Sequence, residues 1–411
     1  MTFKALLIAT TACLGGQAMA QTLTIWDWKS GDPVAASYFD AVREAFAAAH
    51  PGVTLNFVNQ PIDQYYTLLG TALASGQGPD VFLLNGGAQA RARMDALTDL
   101  TPQAEGLVGL TEFQDADGAV RALPISIQGF VVYYNKDRYS EAGLDPEAPP
   151  QTWAELASAC EAINAAGAVP CFALGNKEGY GAEFFLSSVG ASMLSEQAQQ
   201  QFATGDLTWS SPEIAAILQA WVDTQGMGWY QPGANSTAKF MDEYEMFMRG
   251  DAANTIGLLS DVAHWKQFED FLGAESIGAF RHPAPEMIAD HAMIPVAGGI
   301  GYGVNAAGGN VDLATALVET LASAGPIQVF VNDAGVVPAN TAVDTSGLAS
   351  PTAGTILGWL DSSGVTMAHA NVTAEELAEW HRQSQLLLNG ETTVEAAAAR
   401  MDDVQKAAHG G

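Results

Sequence analysis

Residues 123–137 read LPISIQGFVVYYNKD, and this stretch decides how the chain is divided. It is rich in β-branched and aromatic residues, and Gly129 interrupts it, which is typical of a long strand with one place to bend. Short strands and helices alternate before the stretch, and a second alternation begins after it. The pattern predicts a strand shared by two units, and therefore two lobes with a cleft between them.

The unit before the shared strand has the order strand, helix, strand, helix, strand. Strands are predicted at 23–28, 53–58 and 81–84, and the first helix is predicted to begin beside Asp32. This order favours a parallel sheet with right-handed crossovers, because each helix packs back onto the sheet. The fold class that we predict from the alternation is α/β in two lobes.

The second unit shows the same alternation with clearer helix signals. Helices are predicted at three capping boxes, and short strands between them. The boxes pair Thr152 with Glu155, Thr373 with Glu376, and Thr392 with Glu395, and the strands are predicted at 171–174, 254–259 and 276–280.

The first twenty residues have the pattern of a secretory signal peptide. Lys4 is their one charged residue, an apolar run ends at Leu14, and small residues at Ala18 and Ala20 precede Gln21. We expect cleavage after Ala20 and a periplasmic protein. A lipoprotein anchor at Cys13 is the alternative, but Thr10 stands where such a signal favours Leu. No later run is apolar over the ~18 residues that a spanning helix needs.

The composition excludes some partners. With 46 acidic and 16 basic residues the formal net charge is −30, so the surface repels nucleic acid and anionic lipid. We expect a monomer of two domains once the signal peptide has been removed.

Two cysteines remain after the signal peptide, Cys160 and Cys171. In an oxidising compartment a pair this close in sequence predicts a disulfide, and two reduced buried thiols are the alternative. The spacing differs from C-x-x-C, which disfavours a redox-active pair.

Several segments, in their order along the chain, resemble the carbohydrate-binding group of bacterial extracellular solute-binding proteins, which serve ABC importers. These segments are HPGV at 50–53, PDV at 79–81, LPI at 123–125, YNKD at 134–137, GNK at 175–177, MRGDAA at 248–253, GG at 298–299, FVN at 330–332 and VP at 337–338. The resemblance implies the two-lobed periplasmic binding protein fold, in which hinge strands join two α/β lobes, ligand binds in the cleft between them, and the hinge closes on binding. It also implies a membrane permease as the partner.

The candidate ligand-binding residues follow predicted strands, since ligands of open α/β sheets bind at the carboxyl ends of strands. Aromatic planes and groups that both donate and accept hydrogen bonds suit a sugar. The residues that we predict to bind ligand are Trp28, Lys29, Ser30, Asp32, Asn85, Gly86, Asn176, Glu178, Tyr180, Ser260, Asp261, His264, Gly298, Gly299 and Trp380. Core packing remains the alternative for Trp380, and helix capping for Ser260 and Asp261.

Enzyme and metal signatures are weak. The chain has no H-E-x-x-H, G-x-S-x-G or Walker motif, and carboxylate pairs arise by chance in so acidic a sequence. The run at 298–303 lacks the spacing of a nucleotide-binding loop, so close backbone approach at a hinge strand explains its glycines better. Tyr65-Tyr66 resembles the tyrosine pair of ferric-ion binding proteins, but it lies within a predicted helix. We therefore expect no catalytic residue, cofactor or metal.

The sequence thus predicts a binding protein that captures a sugar or sugar-like polyol and delivers it to an ABC permease. A non-sugar solute, such as a polyamine or an organic anion, is the first alternative, and a secreted carbohydrate-active enzyme is the second. The predicted division is 21–128 for the first part of the N-terminal lobe and 129–297 for the first part of the C-terminal lobe. The chain then returns to the N-terminal lobe over 298–340 and ends in C-terminal lobe helices at 341–411.

Overall fold

The computed structural model describes residues 21–259, 264–346, 351–365 and 371–409. The strands are β1 Thr22–Asp27, β2 Thr54–Asn59, β3 Val81–Asn85, β4 Ala122–Pro124, β5 Ile127–Asn135, β6 Asn254–Leu258, β7 Ile277–Phe280, β8 Ile294–Gly298, β9 Ile300–Val304 and β10 Gly364–Val365.

Helices surround these strands throughout the chain. They are α1 Ala36–Ala49, α2 Tyr65–Ala74, α3 Ala88–Arg91, α4 Lys136–Glu141, α5 Trp153–Ala166, α6 Tyr180–Met193, α7 Glu196–Thr204, α8 Pro212–Gly226, α9 Tyr244–Met248, α10 His264–Leu272, α11 Val311–Ala322, α12 Ala324–Ala334, α13 Pro351–Ser363, α14 Ala374–Leu388 and α15 Val394–His409. A π-helical turn, Lys239–Glu243, precedes α9.

The strands form two sheets, which confirms the α/β fold class. The first sheet has the order β2-β1-β3-β9-β4, in which β1 is parallel to β2 and β3, and β9 is antiparallel to β3 and β4. The second has the order β10-β8-β5-β6, and β7 also pairs with β5. In the second sheet β5 is antiparallel to β6, β7 and β8.

The stretch 123–137 does cross between the sheets, but as two strands rather than one. β4 belongs to the first sheet and β5 to the second, with Ile125 and Ser126 between them. Beside this crossing, β8 of the second sheet is followed by β9 of the first across Gly299. Backbone bonds join the two crossings, from Gly299 N to Ser126 O at 2.9 Å and from Ile125 N to Ile300 O at 2.9 Å.

The two crossings, β4–β5 and β8–β9, meet at a junction that we call the seam, and glycines there permit close backbone approach. A Cβ placed on Gly298 would lie 2.1 Å from the carbonyl oxygen of Gly109, and one placed on Gly86 would lie 2.5 Å from that of Gly298. No side chain fits at such distances, so glycine is required at these two positions.

Strand β3 is apolar at successive positions because both of its faces are covered. Val81 and Leu83 pack into the core with α1 and α11, whereas Phe82 and Leu84 pack on the opposite side with Tyr65. A strand that is covered on both faces has no polar alternation, as is usual for parallel sheets.

Most of the local predictions are confirmed. The capping boxes at Thr152 and Thr373 are formed, and Cys160 and Cys171 form a disulfide with a Cα–Cα distance of 5.0 Å. The predicted box at Thr392 is wrong, because the hydroxyl of Thr393 accepts from Ala396 N.

The strand predicted at 171–174 is also wrong. Only Phe172 forms bridges, to Tyr230 and Asn254. The segment is apolar because it is buried, with Cys171, Phe172 and Leu174 each at most 4% exposed, and burial alone does not extend a ladder.

Within the described residues, no single helix is long and apolar enough to cross a membrane. Helices α11 and α12 together have the length and the apolar composition of a membrane span, but the chain bends by 42° between them.

Candidate functional site

A cavity of about 560 Å³ lies between the two sheets. Both sheets and the helices packed on them contribute to its lining. The residues that line it are Trp28, Lys29, Gly31, Asp32, Pro33, Val34, Asn59, Gln60, Pro61, Ile62, Tyr66, Asn85, Gly86, Ala88, Gln89, Gln128, Tyr180, Glu183, Phe184, Phe240, Leu258, Gln267, Ile300, Leu377 and His381.

The first wall of the cavity comes from loops that follow β1, β2 and β3. At the end of β1 the buried carboxylate of Asp27 accepts from the backbone N–H groups of Lys29 at 2.8 Å and Ser30 at 2.6 Å. Burial raises the pKa of Asp27, although these two hydrogen bonds oppose the shift. The turn that carries Trp28 and Lys29 is therefore held by its own first residue.

Two aromatic residues stand together in the first wall. The Trp28 ring makes edge contacts with Tyr65, at a centroid distance of 4.7 Å, and with Tyr66 at 6.0 Å. The hydroxyl of Tyr66 accepts from Asn85 N at 2.8 Å, so its own proton can be donated elsewhere. The guanidinium of Arg93 lies over the Tyr66 ring, 4.5 Å from its centroid, and this cation–π contact helps to hold the ring in place.

The second wall comes from helix flanks that are distant in sequence. α6 contributes Tyr180, Glu183 and Phe184, the π-helical turn contributes Phe240, and α14 contributes His381. Nε2 of His381 and Oε1 of Glu183 are hydrogen-bonded. The Tyr180 ring packs against Phe240 with centroids 5.2 Å apart and against His381 at 6.0 Å.

The charges that line the cavity are paired within each wall. Lys29 Nζ lies 3.5 Å from Asp32 Oδ2 in the first wall, and Glu183 contacts His381 in the second. The remaining polar lining consists mainly of amides, namely Asn59, Gln60, Asn85, Gln89, Gln128 and Gln267. Each amide can donate and accept, so the cavity suits a ligand that is polar on many sides and uncharged.

Six of the predicted residues line this cavity: Trp28, Lys29, Asp32, Asn85, Gly86 and Tyr180. Ser260 and Asp261 lie outside the described residues, and so does the side chain of His264.

Six other predicted residues are not among the lining residues: Ser30, Asn176, Glu178, Gly298, Gly299 and Trp380. Asn176 is buried and bonds to Ser384, Asn235 and Ala182 N, which makes it a connector between elements. Trp380 is buried against Trp209 in the core.

The two seam glycines and Glu178 use their polar groups within the protein. Gly298 N donates to Glu112 Oε2 at 2.9 Å, and Gly299 O accepts from Gly86 N at 2.8 Å. Glu178 accepts from Lys239 N at 3.2 Å.

Sequence reasoning missed most of the second wall, including Glu183, Phe184, Phe240 and Gln267. α6 is buried along nearly its whole length, so its sequence has no polar face that would have marked the cavity side. Tyr66 lies within a predicted helix, and its pairing with Tyr65 resembles a metal-ligating pair rather than a sugar contact. Among the described residues, no group of three or more His, Cys, Asp and Glu side chains could hold a metal ion.

Comparison with known proteins identifies the family. The family model for bacterial extracellular solute-binding proteins matches residues 30–327. The chain belongs to this family. Its members are binding proteins rather than enzymes, and they work in the periplasm or outside the cell.

Two curated relatives are similar over part of the chain. A binding protein of Brucella abortus (strain 2308) is 28% identical over 239 residues, which are 52% of each chain. The sn-glycerol-3-phosphate-binding periplasmic protein UgpB of Yersinia enterocolitica is 29% identical over 175 residues, 41% of this chain and 38% of UgpB. The match thus spans about half, or less, of the length of these relatives.

Solved structures are similar over nearly the whole chain. A chitin oligosaccharide binding protein superposes with a TM-score of 0.85 at 22% identity, over 95% of this chain and all of the other. Maltose-bound MalE3 of T. maritima gives a TM-score of 0.77 at 20% identity, over 94% and 99%. The solute-binding protein therefore has the two-lobed periplasmic binding fold.

Proposed function

We propose that this solute-binding protein captures a neutral sugar or sugar-like polyol and delivers it to the permease of an ABC importer. The observation that carries the proposal is the lining of the cavity. Its charges are paired within each wall, amides supply most of the remaining polar lining, and aromatic rings contribute to both walls. A polyhydroxylated ring offers hydroxyls to the amides and C–H faces to the rings.

The proposed contacts are the predicted residues that line the cavity, together with Tyr66, Gln128, Glu183, Phe240 and His381. The Trp28 ring is the proposed stacking surface of the first wall, since it lines the cavity and is only partly buried. Sugar ligands in the names of structural neighbours, such as maltose and raffinose, support this chemistry.

The proposed mechanism is closure of two lobes about the seam. Ligand that contacts both walls favours the closed state, because only that state offers both sets of contacts. We propose the lobe limits given by the sequence, 21–128 with 298–340 and 129–297 with 341–411. The exchange of the chain between the sheets at β4–β5 and β8–β9 supports them. The permease would then recognise the closed shape of a monomer.

The protein is proposed to reach the periplasm through a signal peptide cleaved after Ala20. The n-region charge, the apolar run and the small residues before Gln21 support this.

An organic anion is the second candidate, because one relative is named for binding sn-glycerol 3-phosphate. Lys29 is the cation of the first wall that could meet a phosphate. Its pairing with Asp32 weighs against this, since a carboxylate 3.5 Å away would repel a second anion.

A thermal-shift screen of residues 21–411 tests the proposal. Neutral mono- and oligosaccharides and polyols form one arm, sn-glycerol 3-phosphate the second, and putrescine and spermidine the third. A ligand at 100 times its Kd adds about 2.7 kcal/mol to the free energy of unfolding. We expect a shift in the neutral arm alone. A shift confined to the phosphate or polyamine arm would overturn the neutral assignment, and release of reducing ends from a polysaccharide would indicate an enzyme instead.

A further inference from the structure

The π-helical turn Lys239–Glu243 stands directly behind the second wall. Its wide hydrogen bond joins Glu243 N to Ala238 O at 3.0 Å, five residues apart. Such turns occur frequently at functional sites. Here the turn carries Phe240, whose side chain lines the cavity.

The turn also contains a buried ion pair. Lys239 Nζ lies 2.5 Å from Glu243 Oε1, and both side chains are at most 1% exposed. The same Nζ donates to Ile256 O at 2.7 Å, and the hydroxyl of Thr255 donates to Glu243 Oε1 at 2.5 Å. The second oxygen of Glu243 accepts from Gly175 N. One pair therefore joins the turn to β6 and to the loop that leads into α6.

The ammonium group of Lys239 also contacts aromatic faces. It lies 4.8 Å from the ring centroid of Phe184, which lines the cavity, and 5.0 Å from that of Tyr244. A desolvated cation over a ring is attracted by the negative face of the ring, so the position of the charge influences the position of Phe184.

A buried ion pair stabilises a core poorly, because both charges have to be removed from water. Burial lowers the pKa of Lys239 and raises that of Glu243, although the attraction between them opposes both shifts. Apolar residues of similar volume are often equally or more stabilising than a buried ion pair. A role in placing groups accounts for the pair better than a role in stability.

We propose that Lys239 and Glu243 are positioning residues that set the rings of Phe184 and Phe240 against the ligand. Neither residue lines the cavity, so both act through the rings. The inference rests on the proposed function of the cavity. It implies that neutralising the pair reduces affinity for sugar while the melting temperature of the free protein stays nearly constant.

The test is the double variant Lys239→Met/Glu243→Gln, which conserves shape and keeps one acceptor for Gly175 N. Its matched control is Lys266→Met/Asp270→Asn, because that pair has the same i, i+4 spacing but is exposed on α10. Thr255→Val, which removes one bond to Glu243, is a milder variant should the double variant fail to fold. Calorimetry with maltose, raffinose and a chitin oligosaccharide, thermal melts without sugar, and crystal structures of the free proteins are the measurements.

We expect the double variant to bind at least tenfold more weakly, with its melting temperature within about 3 °C of the wild type and the Phe240 ring displaced. We expect about threefold weaker binding for Thr255→Val and no change for the control. Unchanged affinity, unmoved rings, or a loss of stability that parallels the loss of affinity would overturn the positioning role. If the wild type binds none of these sugars, the calorimetry uses a neutral ligand that gives a shift in the thermal-shift screen. If no neutral ligand gives a shift, the proposed function fails, and the crystal structures alone decide whether the pair positions the rings.

Discussion

The two walls of the cavity are built in different ways. The first wall consists of loops that follow three strands of one sheet, and the turn after β1 is held by its own first residue, since Asp27 accepts from Lys29 N and Ser30 N. The second wall consists of side chains from α6, α14 and the π-helical turn, which meet only in the folded protein. The difference indicates that strand order places the loops of the first wall, whereas the packing of helices places the side chains of the second.

The largest expected effect comes from breaking the buried pair of the second wall. Glu243→Ala leaves the charge of Lys239 buried and unpaired, which should reduce the free energy of unfolding by about 3–5 kcal/mol. Urea unfolding measures it. Glu245→Ala, which removes an exposed partner of Arg249, should leave the unfolding curve nearly unchanged. Equal effects of the two variants would contradict the account of the second wall.

The second sheet should also respond to acid through His282, which packs among the rings of Trp153, Phe172 and Phe185. Burial lowers the pKa of His282 to about 4, below its ordinary 6.5. The neutral form of His282 is therefore favoured in the folded protein, and the free energy of unfolding falls as the pH falls from 6.5 to about 4.

At about pH 4 the loss in free energy of unfolding should amount to about 3 kcal/mol, since each pKa unit corresponds to about 1.4 kcal/mol. His282→Phe should flatten this part of the pH–stability profile in urea titrations. A profile as steep as that of the wild type would show that other groups cause the acid sensitivity.

The seam between the walls is tested by Gly298→Ala. The added methyl group would lie 2.1 Å from Gly109 O, so the backbone must shift, and we expect a loss of about 1–3 kcal/mol. Gly309→Ala is the control, because a Cβ there meets nothing within 4 Å. Thermal melts of both variants measure the difference, and a neutral Gly298→Ala would mean that the crossings are not tightly packed.

The smallest expected effect concerns the first wall. Trp28→Ala should weaken the binding of the best sugar in the screen about tenfold, or about 1.4 kcal/mol, through loss of a stacking surface. The melt of the free protein should change little, because Trp28 is only partly buried. A large loss of stability would instead assign Trp28 to the core.

Much of the fold could be predicted from the sequence. The parallel order of β1, β2 and β3 follows from alternating strand and helix patterns, and the helix starts at Thr152 and Thr373 follow from their capping boxes. The strand predicted at 171–174 is wrong because the apolar character of the segment reflects contacts that are distant in sequence, such as the packing of Phe172 on Trp229. A short apolar run indicates that a segment is buried, but it does not determine whether the backbone of that segment pairs with a neighbouring strand.

The cavity residues also fall into those that the sequence predicts and those that it does not. Trp28, Lys29, Asp32, Asn85 and Gly86 were predicted from their positions after strands, and all five line the cavity. The carboxyl ends of adjacent parallel strands meet at one edge of a sheet, so sequence order alone brings these residues together.

The tertiary structure alone decided the second wall. Glu183 and His381 are 198 residues apart, and no local pattern records that they meet. Their contact depends on how α14 packs on α6, and the place of Phe240 depends on a buried ion pair with partners on β6. Local sequence determines elements and the loops that end them, whereas long-range packing determines which helix flanks face one another across a cleft.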